Sequence, residues 1–173
     1  MTLTTMTPAY AIVCGSGSSG LAWEPVATEL GARVLPAPDA PDVAAMAAAL
    51  VPAVAALPRP RVVIGTSLGA LIALELARDT PVDALILVSA GFGIAVNPAV
   101  LEQIAAAEPG LLDRMARGVV ADPGDPAVVA GVRRDFEDGG PELPEPQTIA
   151  YAGVMAVGVT GSRGRRRPAG IDR

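Results

Sequence analysis

Ser67 stands between two glycines in the run Gly65-Thr66-Ser67-Leu68-Gly69, a G-x-S-x-G pattern. The apolar run Arg61-Val-Val-Ile precedes it and a helical stretch, Leu68–Arg78, follows, so the serine falls where a strand turns sharply into a helix. Such a turn leaves no room for side chains at the flanking positions, which accounts for Gly65 and Gly69. It also holds the serine hydroxyl out at the end of the sheet. The chemistry this favours is nucleophilic attack on a carbonyl carbon. The N–H of Leu68, at the helix N-terminus, points where an oxyanion would form. The plainer reading is a serine N-cap with incidental glycines; the order strand, turn, helix favours the nucleophile.

A second glycine pattern competes. Gly15-Ser16-Gly17-Ser18-Ser19-Gly20 fits G-x-G-x-x-G after a strand and before a helix, with Asp39 nineteen residues on. That is the outline of a dinucleotide-binding fingerprint. Against it, Pro25 sits inside the following helix, and Asp39 lies beyond Pro36 and Pro38 instead of on the strand end. Outside this alternative the sequence assigns no cofactor and no metal ligands.

The elements that must carry these residues alternate from residue 9 to 88. Ala9–Cys14, Arg33–Leu35, Arg61–Thr66 and Ala84–Val88 read as short apolar strands; Leu21–Leu30, a helix from Asp42 to about Leu57, and Leu68–Arg78 read as helices. Asp42 suits an N-cap and Pro52 is a point where that helix can kink. Continuous apolar strands separated by helices predict a mostly parallel sheet of about four strands, covered on both faces. After Phe92, Pro98–Ala107, Leu111–Val119 and Pro126–Phe136 read as short helices. Pro141–Pro146 is a loop, Thr148–Val159 is apolar without a deciding period, and Gly161–Arg173 is a basic tail. The expected organisation is 1–95 as the core, 96–146 as a cap-like helical segment, 147–160 as an apolar segment, and 161–173 as a disordered tail.

Composition narrows the partners. The 173 residues are 51% hydrophobic, with mean hydropathy +0.44, as a packed core requires. The net charge is −5, and every basic residue is Arg. Before residue 161 there are 17 acids and 8 arginines; the last thirteen residues hold five arginines and Asp172. The acidic body offers no basic face for phosphates, so no nucleic-acid partner is expected. One cysteine, Cys14, allows no internal disulfide. No apolar stretch approaches the ~20 residues of a membrane span, and no secretion signal opens the chain. The expectation is a soluble cytoplasmic protein without a membrane partner.

The residues carry a resemblance. Trp23-Glu-Pro-Val-Ala, Val34-Leu-Pro-Ala-Pro-Asp39, Val62-Val-Ile-Gly-Thr-Ser-Leu-Gly-Ala-Leu-Ile-Ala-Leu-Glu-Leu-Ala77 and Ala84-Leu-Ile-Leu-Val-Ser89 together resemble the α/β-hydrolase superfamily, over about residues 9–95. The resemblance implies a partial α/β-hydrolase fold, its strands corresponding to the third to sixth of that sheet. It implies a serine hydrolase acting on an ester, thioester or amide. Ser67 would be the nucleophile, the N–H groups of Leu68 and Ser16 would form the oxyanion hole, and Gly65 and Gly69 would shape the elbow. Cys14-Gly15 stands where the family usually has His-Gly before the oxyanion residue, and Cys14 reads as a buried strand residue; Trp23 reads as core or pocket wall.

The departures are as specific. The family's serine depends on a histidine held by a carboxylate, and this chain has no histidine. No carboxylate follows the fourth strand, where the sequence is Val88-Ser-Ala-Gly-Phe-Gly, and Asp135, Glu137 and Asp138 read as solvated surface charges. The Arg/Gly/Pro/Ala tail has the composition of an out-of-frame read of a GC-rich gene, and the expectation is a chain truncated after the cap. The leading reading is therefore an α/β-hydrolase with a small ester-like substrate, inactive or severely impaired. The alternatives are a non-catalytic binding protein that keeps the fold and self-associates through the sheet edge Ala84–Val88, and a dinucleotide-binding domain.

Overall fold

The computed structural model describes residues 6–89, 98–106 and 108–139. Four strands, β1 (Ala9–Val13), β2 (Arg33–Leu35), β3 (Arg61–Thr66) and β4 (Ala84–Val88), form one parallel sheet in the order β2-β1-β3-β4. Helix α1 (Glu24–Leu30), preceded by one 3-10 turn at Leu21–Trp23, links β1 to β2; α2 (Val43–Ala55) links β2 to β3, and α3 (Leu68–Asp79) links β3 to β4. Pro25, which weighed against the dinucleotide fingerprint, lies in the first turn of α1, where its missing N–H has no intrahelical acceptor to lose. Asp42 caps α2 as expected, accepting from the N–H of Ala45 at 2.8 Å.

The strands alternate their side chains between two cores, as a pleated backbone dictates. Ala11, Val13 and Val63 pack on one face with Met46, Leu50 and Val54 of α2 and Leu68, Ile72 and Leu76 of α3. Ile12, Val62 and Ile64 face the other way, against Ala27 of α1 with Trp23 and Val34 beside them. At the amino end of the sheet, Asp83 accepts from Arg59 Nε at 3.1 Å and from the Arg61 N–H at 2.8 Å. The Arg59 guanidinium holds the Asp83 carboxyl down to about 2.

Beyond β4 come α4 (Pro98–Ala105), α5 (Leu111–Val119) and α6 (Pro126–Gly139), close to the expected bounds. Helix α6 packs against the 3-10 turn of the core, so this part of the cap-like segment is joined to the sheet's own loops. The calls on 147–160 and 161–173 lie outside the described residues. Among the described residues no helix is long and apolar enough to cross a membrane.

Candidate active site

The chain leaves β1 for β2 on one side, then crosses to β3 on the other, so strand order reverses between β1 and β3. Parallel α/β sheets form a crevice at such a point, outside the carboxyl ends of the strands. Ser67 stands at the carboxyl end of β3, and the loop Gly15–Gly20 at that of β1. The two meet: a Cβ built on Gly15 would lie 3.3 Å from Ser67 Cβ and 4.0 Å from its Oγ. The segment carrying Ser16 therefore borders the Ser67 hydroxyl, and Leu68 opens α3 beside it.

Local geometry explains the glycines. A Cβ on Gly65 would lie 2.5 Å from the Gly69 carbonyl oxygen and 2.6 Å from Ala70 Cα, where α3 folds back over β3. One on Gly69 would lie 2.5 Å from the Cys14 carbonyl oxygen and collide with that of Val13. Helix α3 thus rests directly on the end of β1, and only glycine permits it. Ser67 itself adopts φ 53° and ψ −120°, a conformation that L side chains rarely take. Its N–H donates to the Val88 carbonyl at 3.0 Å, and its side chain makes no cap hydrogen bond to α3. The plain N-cap reading therefore does not describe it. Ser89, at the end of β4, is the other described non-glycine residue with positive φ, at 52°.

A family model described as "Alpha/beta hydrolase family" matches residues 12–169. The chain belongs to the α/β-hydrolase family. The solved structure of a thermophilic esterase is similar to this α/β-hydrolase chain at 21% identity, with a TM-score of 0.65 over 86% of it. The chain spans 62% of that esterase's length, and the likeness bears on the fold. No curated protein matches the sequence. The matched span takes in residues 161–169, which the sequence set apart as tail.

The Gly-rich loop is not arranged like an anion cradle. Ser18 and Ser19 donate their hydroxyls to the two carboxylate oxygens of Asp135, at 2.6 and 2.7 Å. A pyrophosphate at this loop would meet a buried negative charge, which disfavours the dinucleotide reading. Asp135 corrects a sequence expectation: it is 3% exposed, not a solvated surface charge, whereas Glu137 is exposed and paired with Arg133, and Asp138 is exposed. Asp135 shares a helical side with Val132, three residues earlier, but a lone acid there carries no local mark of burial. Cys14 is wholly buried under the same loop, and burial pushes its thiol up to about 11, so it is no nucleophile near neutral pH. Trp23 packs against the Ile12 core, as the first of its two expected roles required. Among the described residues no cluster of His, Cys, Asp or Glu could hold a metal ion.

Proposed function

We propose that this chain carries the nucleophile and oxyanion elements of a serine hydrolase that transfers acyl groups from a small ester, thioester or amide to Ser67. The observation that carries the reading is the left-handed backbone of Ser67 on a turn closed by two glycines that admit no side chain, at the switch point of the sheet. Oγ attacks the carbonyl carbon; the negative charge that develops on the carbonyl oxygen is met by the N–H groups of Leu68 and Ser16. The proton on Oγ needs a base. The 173 residues contain no histidine, so an imidazole base must come from outside them, and the chain alone is severely impaired. Loss of one triad member leaves a residual rate but removes several orders of magnitude, about 10⁴ or more.

The absence of histidine also favours a second reading, a binding protein that keeps the crevice without turnover. Hydrolysis of p-nitrophenyl acetate by the chain and by Ser67→Ala separates the two. A slow rate that vanishes in the variant supports the hydrolase reading, and equal rates support the binding one.

A further inference from the structure

The buried carboxylate of Asp135 is the candidate that the mechanism leaves unused. It sits in the last turns of α6, yet both of its oxygens accept from the loop after β1. Ser18 and Ser19 hydroxyls take one carboxylate oxygen each, and the Ser19 N–H donates to the Asp135 carbonyl at 3.3 Å. That carbonyl lies in the last turns of α6, which ends at Gly139. The same hydroxyls also accept: Ser18 Oγ from the Gly20 N–H at 3.2 Å and Ser19 Oγ from the Leu21 N–H at 3.3 Å. The network thus runs from α6 through both serines into the start of the 3-10 turn. At the end of α6, a Cβ on Gly139 would collide with the Gly17 carbonyl oxygen, so helix and loop are in main-chain contact.

A carboxylate 3% exposed and facing hydroxyls is costly to leave unmatched. It is held by the loop, and equally it holds the loop. Ser16 lies two residues before Ser18, and Gly15 abuts Ser67. We propose that Asp135 is a positioning residue: from α6 it fixes the Gly15–Gly20 loop, and through it the place of the Ser16 N–H beside Ser67. The inference rests on the hydrolase reading for what the loop does. A displacement of α6 would then carry the oxyanion loop with it, so a ligand that moves α6 would tune the site.

Hydrogen exchange tests the clamp without reference to Ser67 chemistry. In Asp135→Ala, the amides of Ser18, Ser19, Gly20 and Leu21 are expected to exchange at least about tenfold faster, the effect of losing charge-assisted hydrogen bonds. The acceleration should not depend on low concentrations of urea, which marks local opening and not global unfolding. Asp135→Asn keeps one acceptor oxygen and should recover part of the protection. Unchanged loop exchange in folded Asp135→Ala overturns the proposal, as does an acceleration that follows urea like global unfolding. If Asp135→Ala does not fold, the unaltered chain decides. Loop amides protected together with those of α6 support the clamp, and loop amides exchanging freely while α6 stays protected refute it. A silent Ser67 beside a protected loop would sink the hydrolase reading and leave the clamp standing.

Discussion

Replacing Gly69 by alanine adds one methyl group at the place where α3 touches the end of β1. The new Cβ would stand 2.5 Å from the Cys14 carbonyl oxygen and closer still to that of Val13. Ordinary carbon–oxygen contact begins near 3.4 Å, so helix and strand must separate by roughly 1 Å in a close-packed interior. Neither obstacle is the end of a flexible side chain. Overpacking costs about 1–3 kcal/mol, and two main-chain obstacles place Gly69→Ala at the upper end, about 3 kcal/mol. Three other glycines isolate the cause. Gly118 and Gly131 lie in α5 and α6 with nothing within 4 Å, so alanine there should be neutral or stabilise by about 0.5–1 kcal/mol through helix propensity. Gly31 ends α1 at φ 62° in open space, so alanine pays only the left-handed penalty, about 1 kcal/mol. Urea unfolding followed by far-UV circular dichroism, with one m-value across the set, gives the four differences. A cost for Gly69→Ala no larger than that for Gly31→Ala would refute the close approach of α3 to β1.

Two further outcomes follow from the site. Ser67→Gly should raise stability by about 1 kcal/mol in the same assay, because glycine accepts φ 53° without strain; a loss of stability would mean that the turn is not strained. Cys14 titrates near its ordinary 9.0 in the unfolded chain and at about 11 in the fold. Above pH 9 the unfolded state therefore binds fewer protons, and stability should fall between pH 9 and 11, by about 2 kcal/mol at pH 11. The fall should shrink in Cys14→Ala, and an unaltered pH profile in that variant would assign it to other groups.

The elements that position Ser67 were legible because their signals are local. The apolar runs of β1, β3 and β4, the cap at Asp42 and the glycines flanking Ser67 each announce a backbone geometry within a few residues. Parallel pairing followed from the continuous apolar strands, although the expected cover on both faces fails at β4, where Ile86 and Leu87 are exposed. What the sequence left open depends on distant contacts. Pro25 and the place of Asp39 already weighed against a dinucleotide reading of the Gly15–Gly20 loop, but the contact that decides it is with Asp135, more than a hundred residues away, whose carboxylate occupies its serines. Asp135 was misread because a lone acid on a short amphipathic helix is most often solvated, and only tertiary packing brings it its donors. The approach of the Gly15 loop to Ser67 was implied only by the family resemblance, since it depends on the strand order and not on either segment alone.

On the function proposed, Ser67 is a presented nucleophile in a sequence of 173 residues that holds no histidine. The most direct test is fluorophosphonate labelling of the folded chain, with the adduct located by peptide mapping and Ser67→Ala as control. A single slow adduct on Ser67 is expected, absent from the variant and lost in urea, forming at least about a thousandfold more slowly than on a complete triad. An adduct on another residue, no adduct on the folded chain, or labelling as fast as a complete triad would contradict it.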